Sequence, residues 1–236
     1  ALVPRSGASR GIDPVLVSGR NRQITLVDLE LGRVTRQWPA HHDWVQAIAV
    51  TKDGEKCVSV GRDRIVKVWE ISTGRLLSRI VGHRERIWNV AMHPNGEHFA
   101  TSSSDRSIRL WSLSRAGEYQ TIARWEEAPV DVVAGPKGKQ AVVGLPSGEL
   151  TLWSIPSMLQ ISSTQVAGGI VSIDVAPRGP VVVASTDGKV HLLVIDEDKR
   201  FQSLGSIAVE QPLDVSISSD GKVVAVSSIS GAITLI

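Results

Sequence analysis

Trp69, Trp111 and Trp153 stand 42 residues apart, and Gly54, Gly96 and Gly138 keep the same interval. Gly179 and Gly221 continue the glycine series at 41 and 42. Each glycine ends a turn-forming tetrad: Thr51-Lys52-Asp53-Gly54, His93-Pro94-Asn95-Gly96, Gly135-Pro136-Lys137-Gly138, Ala176-Pro177-Arg178-Gly179 and Ser218-Ser219-Asp220-Gly221. Turn residues at a fixed phase, with apolar stretches between them, punctuate strands. No stretch sustains a helical period. A chain with this period stacks one supersecondary unit repeatedly, and neighbouring units bury each other's faces.

One period divides into four predicted strands, at 45–50, 57–60, 65–69 and 76–81. Val66, Val68, Ile80 and Val81 supply β-branched content. The joints Arg62-Asp63-Arg64 and Ser72-Thr73-Gly74 are short and polar. Four antiparallel strands in about 40–45 residues make a propeller blade. The expected fold is therefore all-β, a β-propeller of four-stranded antiparallel blades. The period lays out one domain over 1–236, with blades near 1–40, 41–82, 83–124, 125–166, 167–207 and 208–236. Val27 and Ile236 fall at the tryptophan phase of the first and last blades. Both end blades are expected to be incomplete, with further sequence of a longer protein, or a partner, covering them. Leu2-Val3-Pro4-Arg5 resembles a protease site, but Ser6-Gly7 follows it, and 1–4 reads instead as the end of a native strand.

The best-developed period runs Gly82-His83, Met92-His93-Pro94-Asn95-Gly96, Phe99-Ala100-Thr101-Ser102-Ser103-Ser104-Asp105 and Ile108-Arg109-Leu110-Trp111. With these signals in phase, the chain resembles the WD-repeat family of β-propellers along essentially its whole length. The Trp-Asp dipeptide itself is absent, since Glu70, Ser112 and Ser154 follow the tryptophans. The resemblance implies a binding scaffold rather than an enzyme. It also implies a structural brace in each blade: His41, Ser59, Asp63 and Trp69 in the second, and His83, Thr101, Asp105 and Trp111 in the third. Blade four has Trp125 and Ser147 where His and Asp would stand, and blades five and six have no tryptophan, so the C-terminal half is expected to be less rigidly braced.

His, Asp and Ser together are also the composition of a hydrolase triad. Here the set recurs at the repeat period, which a repeated brace explains more simply, and no catalytic residue is expected. Gly7-Ala8-Ser9-Arg10-Gly11 fits G-x-S-x-G but lacks a strand-turn-helix context, so it reads as a chance match in a loop. Gly135-Pro136-Lys137-Gly138-Lys139 lacks phosphate-loop spacing. The six histidines do not cluster at ligand spacing, and Asp196-Glu197-Asp198 reads as a solvated turn. No metal or cofactor is expected.

Lys and Arg number 26 against 24 Asp and Glu, leaving a formal charge of +2. That balance argues against nucleic acid as a partner. The lone Cys57 cannot form an internal disulfide and fits a reducing compartment. No apolar run approaches the roughly 18–20 residues needed to cross a bilayer, and no leader-like start is present. A cytoplasmic location is expected, with the nucleus also open.

In alternating strands a to d, the d-to-a connection and the b-to-c turn share one end of the blade. The b-to-c turns bring Arg20, Arg22, Arg62, Arg64, Ser104 and Arg106 to that end, and the start of strand a brings Trp44, Gln46, Arg86 and Trp88. All are expected to be exposed. Arginine and tryptophan dominate interface hot spots, and arginine's planar fork suits carboxylates and phosphates. The expected partner is a protein with an acidic or phosphorylated segment, or another domain of the same parent chain. Single-stranded RNA held by the same arginines, with Trp44 or Trp88 stacking on bases, stays open. So does an enzyme with a site at the channel mouth. The paired-arginine motif of phosphoinositide-binding propellers is absent from the chain.

Overall fold

The structure is a computed structural model that describes residues 1–4, 13–115, 117–135, 139–155, 157–177 and 179–236. The Gly7 to Gly11 stretch, the Pro136-Lys137-Gly138 turn and Arg178 lie outside the described residues. The described elements are all strands, arranged as six antiparallel sheets, the blades of a β-propeller. Among the described residues no helix is long and apolar enough to cross a membrane.

The chain divides into two compact units, Ala1–Thr121 and Ile122–Ile236. In the first unit, blade 1 comprises β1 (Val15–Ser18), β2 (Gln23–Asp28) and β3 (Arg33–Pro39). Leu2 bridges to Val15, so the first residues lie at the position of an inner strand. Blade 2 comprises β4 (Val45–Val50), β5 (Lys56–Gly61), β6 (Ile65–Glu70) and β7 (Arg75–Val81). Blade 3 comprises β8 (Ile87–Met92), β9 (His98–Ser103), β10 (Ser107–Ser112) and β11 (Tyr119–Arg124), and the unit boundary falls inside β11.

In the second unit, blade 4 holds β12 (Asp131–Ala134), β13 (Gln140–Gly144), β14 (Glu149–Ser154) and β15 (Leu159–Gln165). Blade 5 holds β16 (Ile170–Val175), β17 (Val181–Ser185), β18 (Lys189–Ile195) and β19 (Phe201–Ala208). Blade 6 has three strands, β20 (Pro212–Ile217), β21 (Val224–Ser228) and β22 (Ile233–Leu235).

The core lies between neighbouring blades. Val58, Val60, Val66 and Val68 of blade 2 face Ile87, Val90, Phe99 and Trp111 of blade 3. Because a blade is covered on both faces, its middle strands read as continuous apolar runs rather than alternating ones: β5 and β6 are buried almost throughout. Outer strands such as β7 are mostly exposed. The a-to-b turns need a left-handed residue, and Gly54, Gly96 and Gly221 supply it at φ near 72°.

Candidate functional site

The end of the blades that carries the d-to-a and b-to-c connections is built by two local devices. The first is the b-to-c turn. In blades 1 to 3 it closes with an amide bonded three residues back, from Arg22 to Gly19, Arg64 to Gly61 and Arg106 to Ser103. The closing residue is left-handed, with φ of 63°, 66° and 65° at these three arginines. The same turn in blades 4 to 6 uses Gly148, Gly188 and Gly231. The second device is a register shift in strand a. Gln46 and Trp88 are skipped in the pairing of β4 with β5 and of β8 with β9. An unpaired residue of this kind re-aims its side chain.

Beneath these turns, the side chains predicted as braces come together. His41 Nδ1 lies 2.9 Å from both Asp63 carboxylate oxygens, and its Nε2 lies 2.7 Å from Ser59 Oγ. Trp69 Nε1 donates to Ser59 Oγ at 2.9 Å. Blade 3 repeats the pattern: His83 Nδ1 to Asp105 at 2.9 Å, His83 Nε2 to Thr101 Oγ1 at 2.7 Å, and Trp111 Nε1 to Thr101 Oγ1 at 2.8 Å. The indole can only donate, so the Thr101 hydroxyl accepts from it and passes its own proton to His83 Nε2. His83 must then donate from Nδ1 to Asp105. Burial lowers the pKa of His83 despite the opposing carboxylate, consistent with a neutral ring. Burial also opposes ionisation of Asp105. Hydrogen bonds from His83, Ser107 and the Arg84 amide outweigh it and hold the carboxyl well below the usual range. Asp63 is depressed in the same way by His41 and the amides of His42 and Ile65. These are closed, saturated networks, with each hydroxyl and ring nitrogen already engaged.

Above the braces, all the rim residues expected at this end are present, but they are not uniformly exposed. Arg20, Arg22, Arg64, Arg86 and Arg106 are exposed, whereas Trp44, Gln46, Arg62, Trp88 and Ser104 are half-buried. For Trp44, Arg62 and Trp88 the reason is cation–π stacking. The Arg20 and Arg62 guanidiniums lie 4.4 and 3.7 Å from the Trp44 ring, and Arg86 lies 4.2 Å from Trp88. Arg86 Nε also donates to Ser104 Oγ at 3.0 Å, and Arg64 Nη1 to the Arg84 carbonyl at 3.4 Å. Among the described residues, no carboxylate stands within ion-pair distance of Arg62, Arg64 or Arg86. Arg62 Nε is buried without a hydrogen-bond partner.

The WD domain, G-beta repeat family model matches residues 32–70 and 74–112. Over these two stretches the chain is WD-repeat sequence. Each matched stretch starts on the outer strand of one blade and ends on the third strand of the next. One WD repeat therefore contains a whole His–Asp–Ser/Thr–Trp network, although it straddles two sheets. No curated protein matches the chain.

Two further features escaped sequence reasoning. A buried cation sits on strand c of blades 2 and 3: Lys67 donates to the Ala40 carbonyl, and Arg109 lies over Tyr119 at 4.3 Å and 3.6 Å from Asp105. The residue facing the cation shrinks from Ala40 to Gly82 as Lys67 becomes Arg109. A Cβ on Gly82 would meet Arg109 Nη1 at 2.8 Å and the Trp111 ring at 2.6 Å. In the second unit, side chains on strand a tie each blade to the next. Asp131 accepts the Ile173 amide at 2.7 Å, Ser172 donates to Asp214 at 2.6 Å, and Asp174 accepts the Ile217 amide at 2.8 Å. Blade 4 keeps one tryptophan contact, Trp125 against Trp153, with Trp153 Nε1 donating to Thr151 at 2.9 Å. His191 and Asp187 pair in blade 5 at 3.2 Å.

Proposed function

We propose that this WD-repeat chain is a protein-interaction module that takes an acidic or phosphorylated segment of a partner on the Arg/Trp face of blades 1 to 3. The partner is another protein or another domain of the same parent chain. WD-repeat propellers are generally interaction scaffolds. The observation that carries the reading is the state of the arginines. Arg62, Arg64 and Arg86 are held by rings, a hydroxyl and a carbonyl, so their charge is fixed in place but unspent. Holding the side chains in advance reduces the ordering cost of binding. A second line of support comes from the backbone. A left-handed conformation costs a non-glycine residue roughly 1–2 kcal/mol, yet blades 1 to 3 keep arginine where blades 4 to 6 use glycine. Strain kept at the same turn in three successive blades supports a use for those side chains.

The RNA alternative is weaker on this geometry, because guanidiniums already lie on the Trp44 and Trp88 rings that would stack on bases. The test is binding of fluorescent peptide pools rich in Asp, Glu and phosphoserine. Wild type is expected to bind them with affinity that falls as salt rises. The variant Arg62→Glu/Arg86→Glu/Trp88→Ala is expected to lose binding while keeping its circular-dichroism spectrum. Undiminished binding by a folded triple variant would remove this face as the site.

A further inference from the structure

The repeat presents equivalent residues at two successive clefts of this face, and the two clefts are not alike. Between blades 1 and 2 the equivalent positions hold Arg20, Trp44 and Arg62; between blades 2 and 3 they hold Arg62, Arg86 and Ser104. Trp44 fills the first cleft, with a guanidinium stacked on it from either blade. In the second, Arg86 replaces that ring and lies back on Trp88, bonded to Ser104. A space of about 600 Å³ remains, lined by Asp43, Arg62, Arg64, Glu85, Arg86 and Ser104. That is within the roughly 300–1,000 Å³ of ligand sites. Arg62 thus closes one cleft and lines the next.

We propose that the cleft between blades 2 and 3 is a subsite for the phosphomonoester of a phosphorylated serine or threonine. This rests on the reading of the face given above and specifies its ligand. Three guanidiniums from two loops, the turn of blade 2 and the segment leading into blade 3, line one small volume, and among the described residues none is paired with a carboxylate. Of the two acids in the lining, Asp43 already accepts the Trp44 amide at 2.7 Å. Guanidinium forks arriving from several directions suit a tetrahedral group with three acceptor oxygens and about −1.5 to −2 charge better than a planar monoanion. Half-buried Arg62 carries a buried Nε–H with no hydrogen-bond partner. The cleft exists because a ring that fills its neighbour is missing, so the neighbour prescribes how to close it.

The test uses three fluorescent peptide pools with random flanks and a fixed central phosphoserine, glutamate or serine. Wild type is expected to bind the phosphoserine pool at least tenfold more tightly than the other two. The double variant Arg86→Trp/Ser104→Arg copies the filled cleft and leaves net charge unchanged. It is expected to lose the phosphoserine advantage and retain the wild-type unfolding midpoint. Equal wild-type affinity for the phosphoserine and glutamate pools would overturn the phosphate subsite while leaving the acidic-segment reading intact. A phosphoserine advantage that survives in the double variant would overturn its location. Failure of both anionic pools to bind would overturn both readings. If the double variant does not fold, titration of wild type with O-phosphoserine decides. The arginine side-chain Nε signals of Arg62, Arg64 and Arg86 are expected to shift first, and shifts elsewhere instead would refute the site.

Discussion

Thr101→Val removes one oxygen from the middle of the blade 3 network and changes almost nothing else. The side chain keeps its shape and its fully buried position. Two groups then lose a partner where water does not reach: the Trp111 indole N–H, on a side chain with 0% exposure, and His83 Nε2. A buried polar group left without its hydrogen bond costs about 1–3 kcal/mol, giving about 2–6 for the pair. The added methyl returns roughly 0.8 kcal/mol. The net expectation is a loss of about 1–5 kcal/mol, read from the urea midpoint followed by tryptophan fluorescence. Thr101→Ser keeps the hydroxyl and loses only a methyl, for roughly 1 kcal/mol. Blade 2 already uses Ser59 at this position. If the valine variant were no less stable than the serine variant, the oxygen would not hold the network together and the reasoning would be wrong.

Acid should destabilise the first unit in two stages. The pKa of His83 is lowered by folding from the ordinary 6.5, so the unfolded chain takes up a proton first and stability falls as pH drops below about 6.5. Asp105 is lowered from 3.8, so its contribution is complete above that value and is lost on further acidification. Urea midpoints from pH 7.5 down to about 2 check both stages, and a flat profile would contradict them. Gly82→Ala should destabilise by roughly 1–3 kcal/mol through overpacking. Adding Arg109→Lys, which copies the Ala40 and Lys67 pair, should recover part of that loss in a double-mutant cycle. Arg64→Gly should leave stability equal or raised by up to roughly 1 kcal/mol, since glycine relieves the left-handed strain, and should weaken binding of the anionic pools. Asp131→Ala should accelerate hydrogen exchange at the Ile173 amide, which loses its acceptor across the blade boundary.

The blade pattern was legible because it depends on residues that recur in phase. Turn glycines, β-branched runs and the His, Asp, Ser/Thr and Trp positions each repeat at a fixed interval. The middle strands extend at most a residue beyond the sequence reading, β5 covering Lys56–Gly61 and β6 Ile65–Glu70. What could not be read is what changes from one repeat to the next. The ties in the second unit use Asp131, Ser172, Asp174 and Asp214, whose partners lie one sheet away and are not marked within any single blade. The missing tryptophans suggested a loosely braced half, but polar links between its blades add to the fewer ones within them. Trp44 and Trp88 were expected as open rings. Trp44 is covered by Arg20 and Arg62 from two other turns, which no local pattern encodes, whereas Trp88 is covered by Arg86 two residues before it. The left-handed conformation of Arg22, Arg64 and Arg106 left a trace in the sequence, as the glycines that replace them in later turns.

The chain contains seven tryptophans, so its indole N–H region provides seven reporters distributed between rim, brace and core. Titrating it with the phosphoserine-containing acidic pool tests directly whether the Arg/Trp face is where a partner binds. The account predicts that the Trp44 and Trp88 signals move, while those of Trp69, Trp111 and Trp153, locked by their own hydrogen bonds, stay in place. Binding that leaves Trp44 and Trp88 unmoved would contradict it.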